Sequence, residues 1–162
     1  MPFEGPIPGD RVSLDEARAR TPLQIPLPSY LPGAATLREV YASRVDTPAA
    51  FRQAALVYDN GIHIILDYEE EMTLSWETPI AEQPDIFKPV EVNGQPGLGA
   101  EPGLARHCVR YAPSTEWECQ DGPEPRPGFV EWQVGGLVVY VCSYDYPLAE
   151  LLRVAESMQV GS

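Results

Sequence analysis

The sequence predicts an α+β fold: a twisted antiparallel sheet of about six strands, with a short N-terminal helix and a C-terminal amphipathic helix packed on it. Three observations carry this. Asn60-Gly61 sits between two apolar runs, Ala54–Tyr58 and Ile62–Leu66, as a hairpin turn does. Residues 129–134 and 137–144 form a second strand pair across Gly135-Gly136. Leu148, Leu151, Leu152, Ala155 and Met158 then fall on one helical stripe.

The elements follow in order. Residues 1–11 read as an extended lead-in, and 12–160 as one α+β domain. Ser13 and Glu16 have the spacing of a capping box, with Val12 and Ala17 at the staple positions, so a short helix is expected to reach Arg20. It ends before Pro22, which biases Thr21 away from helical dihedrals. Residues 25–33 alternate apolar groups with prolines and should lie extended, inserting Ile25, Leu27 and Leu31 into the body. Residues 36–43 alternate as a strand.

A two-residue type I′ turn at Asn60-Gly61 would pair Tyr58 with His63 and Val57 with Ile64. Ala55, Val57, Ile64 and Leu66 would then face the core. Met72, Leu74 and Trp76 suggest a further strand. From 77 to 128 the chain is rich in proline and loops, with a short strand at Pro89–Val92 turning at Asn93-Gly94. Strand 129–134 places Val130, Trp132 and Val134 on one face, and Leu137–Tyr144 is apolar on both, as a central strand should be. Asp145 or Tyr146 starts the last helix with Pro147 in its first turn.

Composition narrows the function. The 162 residues fit one domain burying roughly 70% of its unfolded surface. With 11 basic against 24 acidic side chains the net charge is −13, which disfavours nucleic acid and anionic lipid as partners. The longest apolar run, Leu137–Cys142, is far short of the ~20 residues that span a bilayer, so no membrane insertion by this chain is expected. No signal peptide is visible at the start, leaving two readings: a cytoplasmic protein if Met1 is the native start, or an outer domain whose leader or anchor was removed.

Candidate chemistry is sparse. Cys108 and Cys119 flank Pro113-Ser114-Thr115, a turn that could close a disulfide; another pairing and full reduction stay open. Cys142 reads as a small buried hydrophobe. Asp67 with Glu69–Glu71 could gather a hard cation but lacks the alternating ligands of a known loop, and a solvated hairpin end explains it. His63 and His107, the two histidines, could serve as acid–base groups, but an ordinary cross-strand pair with Tyr58 explains His63, and His107 adjoins Cys108 only in sequence, whereas a Cys–His nucleophile needs spatial adjacency. Gly94–Gly99 lacks the spacing and lysine of a phosphate loop and reads as a connector. Neither G-x-S-x-G nor H-E-x-x-H occurs. No catalytic residue, metal or cofactor is assigned. Trp132 and Tyr140 are the candidates for lining an apolar groove.

Four stretches resemble one bacterial family: "VSLDEARARTPLQIPLPSYLPG", "AALVYDNGIHIILDYEE", "VEVNGQPGLG" and "FVEWQVGGLVVYVCSYDYPLAELLRVAESM". It is the domain-of-unknown-function family numbered 4367. The resemblance covers most of residues 12–158 and leaves out the Cys108–Cys119 loop. It implies the extracytoplasmic portion of a membrane-tethered envelope protein, of the kind joined to anti-sigma-factor-like segments or similar to lipoprotein carriers, and it brings no catalytic residues. The expected function is a non-enzymatic sensor or protein-interaction domain. The rivals are a carrier holding a lipid or other apolar ligand between sheet and helix, and an enzyme built on His63 or His107.

Overall fold

The structure, a computed structural model, describes residues 9–21, 24–68, 73–105, 108–109, 113, 116, 118–119 and 121–160, with backbone only for Ala105, Cys108 and Val109. The chain runs β1 (Asp10–Val12), α1 (Leu14–Arg20), β2 (Leu37–Ala42), β3 (Gln53–Tyr58), β4 (His63–Tyr68), α2 (Glu77–Glu82), β5 (Lys88–Val92) and β6 (Gln95–Ala100). It continues through β7 (Gly103–Ala105), β8 (Cys108–Val109), β9 (Glu118–Cys119), β10 (Glu124–Arg126), β11 (Gly128–Val134), β12 (Leu137–Ser143) and α3 (Leu148–Glu156). Eight strands form one antiparallel sheet in the order β1-β2-β3-β4-β12-β11-β6-β5, and β7–β10 and β8–β9 are separate two-stranded ladders. The α+β class holds, but the sheet has eight strands rather than about six, and α2 is a third helix.

The N-terminal helix begins as its sequence dictates. Ser13 Oγ accepts from Glu16 N–H at 3.1 Å, Ala17 is buried, and Thr21 turns extended before Pro22. The Glu16 carboxylate accepts from Arg20 Nε at 2.9 Å. The proline-rich strap expected to lie extended forms an isolated bridge at Pro28 with Met158, bends at Ser29, and ends in a 3-10 turn at Pro32–Ala34 with Gly33 at φ 72°, so it is not extended to its end. Ile25 is buried, whereas Leu27 is 40% exposed, so only part of the expected insertion occurs. The strap is tied to the end of α3: Ser29 Oγ donates to Ser157 O (3.1 Å), and Tyr30 N–H to Ser157 Oγ (3.1 Å). Tyr30 Oη donates to Glu150 Oε2 at 2.6 Å, beneath the Arg153 guanidinium.

The central hairpin corrects the expected register by one residue. Val57 pairs with His63, Leu56 with Ile64 and Ala54 with Leu66. Gly61 has φ +87°, but Asn60 is not left-handed, so a three-residue Asp59–Gly61 loop replaces the type I′ turn. The Asn60 side chain accounts for the change: its Oδ1 accepts from Ile62 N–H, and its Nδ2 donates to Pro32 O, holding the loop in another shape. With period-2 alternation, the slip exchanges faces on β3. Ala54, Leu56 and Tyr58 meet the helices with Ile62, Ile64 and Leu66, while Val57 belongs to the opposite face.

Two more expectations fail. Residues 73–76 form no strand; Leu74 N–H donates to Gln133 Oε1 at 2.7 Å and the chain enters α2, while Met72 lies outside the described residues. Gly94–Gly99 is not merely a connector, since Gln95–Ala100 is strand β6. Asn93 (φ 49°) and Gly94 (φ 84°) make the tight turn that returns β5 into it.

In the last section, β11 and β12 pair from Gly128↔Ser143 to Val134↔Leu137. Pro147 is the N-cap of α3 rather than a first-turn residue, and Glu101 Oε2 accepts from the first-turn Leu148 N–H at 3.0 Å. The helix buries Leu148, Leu151, Val154 and Ala155, so Val154 takes the place expected of Leu152. These side chains share one core with Trp132, Val139 and Val141.

Candidate functional site

The sheet has two unlike faces. The helix face carries Val130 and Trp132 of β11, and it is closed. Trp132 is 1% exposed, and Leu151 and Val154 are fully buried against it. The apolar-ligand reading needs an open concavity between sheet and helix, and these side chains fill that space.

The second face follows from the registers. Cys142 pairs with His63 and Phe129; Tyr140 with Ile65 and Glu131; Val138 with Asp67 and Gln133. Alternation puts these nine side chains on one surface. Tyr140 therefore lies on the face opposite Trp132, and the two cannot line one groove. Part of this second face is covered by Trp76, Ile80, Ile86 and Phe87, which pack on Leu98, Ala100, Phe129 and Cys142. Phe129 stacks on Tyr140 with ring centroids 5.1 Å apart.

Burial shifts the titratable groups here towards their neutral forms. The Glu131 carboxyl is pushed up to about 7, chiefly by desolvation and secondarily by the Asp67 charge. Asp67 is itself raised by burial, while a hydrogen bond from Gln53 Nε2 opposes the shift. The Tyr140 phenol is raised, mainly by desolvation. His63 is lowered by burial, with Glu39 acting weakly the other way. The Cys142 thiol is pushed up to about 12 by burial.

Cys142 and His63 are direct cross-strand partners, a pairing that the sequence did not reveal because nothing local in it sets the 62–68 strand beside the 137–144 strand. An activated pair needs a thiolate and an imidazolium. Both shifts run against that state, so the geometry places a thiol beside an imidazole without producing a nucleophile. His107, Glu69, Glu70 and Glu71 lie outside the described residues. Among the described residues, no group of three His, Cys, Asp or Glu side chains could hold a metal ion, and no helix is long and apolar enough to cross a membrane.

Cys108 and Cys119 stand directly opposite each other in the β8–β9 ladder. That backbone register brings the two predicted bridge positions together.

A cleft opens where β7 and β10 approach the end of β12. It encloses about 390 Å³ and is lined by Pro102, Gly103, Leu104, Pro125, Arg126, Tyr144 and Asp145. Nothing in the sequence pattern singled out Arg126, because it lies in a proline-rich stretch without periodicity.

No family model, curated protein or solved structure matches this chain. The resemblance to family 4367 rests on the motifs quoted above.

Proposed function

We propose that this chain is a non-enzymatic recognition domain, the extracytoplasmic sensor or interaction portion of a membrane-tethered bacterial envelope protein. One observation carries the interaction reading: the loop between β2 and β3 projects an apolar knob. Val45 is 68% exposed and Phe51 73%, and Pro48, Ala49 and Ala50 between them are exposed too. A short 3-10 turn at Ala49–Phe51 and the bond from Arg52 Nε to Thr47 O give the loop a defined shape. Large apolar groups exposed on one ordered loop favour a partner that covers them. Net charge −13 favours a partner surface with basic groups around an apolar centre.

The extracytoplasmic placement draws on the motif resemblance and on the opposed cysteines of β8 and β9. Disulfides persist in oxidising compartments.

The test uses the natural full-length protein in its own cells. A photo-crosslinking residue at position 51 should yield a defined protein adduct, and the same residue at Glu91 on β5 should not. Val45→Cys should be labelled by a membrane-impermeant maleimide in intact cells. Labelling only after permeabilisation would overturn the extracytoplasmic reading, and absence of an adduct at position 51 would overturn the interaction surface.

A further inference from the structure

We propose that the cleft beside Arg126 binds a small organic carboxylate, with the anionic head at the guanidinium and an apolar body along Pro102, Leu104 and Pro125. The starting point is an unbalanced charge. Arg126 Nε and Nη1 are buried and have no hydrogen-bond partner among the described residues. Among the described residues no ion pair includes this side chain, although the chain carries 24 acidic residues. Burial lowers the stability of its charged form. A guanidinium held this way is costly until an acceptor arrives, and a carboxylate matches its donor geometry.

The surroundings define the rest of the ligand. Arg126 pairs with Gly103 across the β7–β10 ladder, and a Cβ at Gly103 would stand 3.6 Å from Arg126 Nη2. Glycine therefore leaves this flank of the guanidinium without a covering side chain. Among the described residues that line the cleft the carboxylate is Asp145, whose Oδ2 is close to Gly61 on the neighbouring hairpin. The remaining lining is mostly apolar, and Leu104 is 69% exposed at the rim. A volume of about 390 Å³ falls within the range of small-ligand sites.

The experiment titrates the isotope-labelled full chain with hexanoate, hexan-1-ol and inorganic phosphate, reading amide shifts at Gly103 and Leu104 and the Arg126 Nε–H signal. Hexanoate should give saturable shifts at all three, and hexanol and phosphate should each bind at least tenfold more weakly. Arg126→Met should weaken hexanoate at least tenfold and raise the melting temperature of the free protein, since it removes two buried donors that lack partners. Leu104→Asp, at an exposed position, should weaken hexanoate similarly without altering the melting temperature. The proposal fails if hexanoate gives no saturable shift, or if either control ligand binds as tightly. It fails equally if Arg126→Met leaves affinity unchanged or lowers the melting temperature.

Discussion

Cys142 faces His63 directly across the β4–β12 ladder, and both side chains are buried. A thiol pushed up to about 12 is almost wholly protonated at pH 8, and the depressed imidazole is not an acid that could offset this. Iodoacetamide at pH 8 is therefore expected to leave Cys142 unmodified in the folded protein and to alkylate it in urea. His63→Gln should not change the native rate. Fast native alkylation, slowed at least tenfold by that substitution, would show an activated pair and reopen the enzymatic reading. Peptide mapping by mass spectrometry reads the site.

The opposed positions of Cys108 and Cys119 make a second expectation measurable. A bridge there closes a loop of about ten residues and stabilises by up to about 3 kcal/mol in the chain-entropy model. The unfolded, unreduced chain should titrate one thiol, Cys142, and three after reduction. Three thiols before reduction would rule the bridge out.

Strand β6 owes its place to two glycines. A Cβ at Gly97 would lie 2.4 Å from Glu131 O and 3.2 Å from Trp132 Cβ; at Gly99 it would lie 2.7 Å from Val90 Cγ1. Gly97→Ala must push β6 away from β11, at a cost of roughly 2–3 kcal/mol. Gly94→Ala has open space around it and bears only the strain of φ +84°, roughly 1 kcal/mol. Urea midpoints should rank wild type, Gly94→Ala, Gly97→Ala in falling order. Equal midpoints for the two variants would contradict the close packing.

The sequence made the regular parts of this fold legible and the second face obscure, for identifiable reasons. Ser13, the β11–β12 alternation and the α3 stripe report local preferences that tertiary packing did not override. Asn60-Gly61 correctly marked a hairpin, but turn type depends on where the Asn60 side chain bonds, and its partner Pro32 is remote in sequence. The one-residue error set His63 opposite Tyr58 rather than Val57. β6 was unreadable because glycine usually signals a turn; here it permits close strand contact. Arg126 became notable only through its missing acceptor, which no local pattern announces.

Glu131, opposite Tyr140 on the second face, should give the protein a pH-dependent stability. Its carboxyl is raised from the ordinary 4.5 to about 7 when folded, so between these values the folded state binds more protons than the unfolded. Stability from this group is therefore present below about pH 4.5 and declines as pH rises to about 7, by about 3 kcal/mol at most. Asp67, also raised, acts with the same sign. His63, lowered, acts with the opposite sign, losing stability as pH falls through and below the ordinary imidazole range. A comparison of wild type with Glu131→Gln cancels both neighbours to first order. The variant should match wild type near pH 4.5 and exceed it by about 2 kcal/mol at pH 8, or roughly 4–8 °C in melting temperature. A variant less stable than wild type at pH 8 would mean that the Glu131 carboxylate is held by a favourable partner, and the desolvated second face would have to be redrawn.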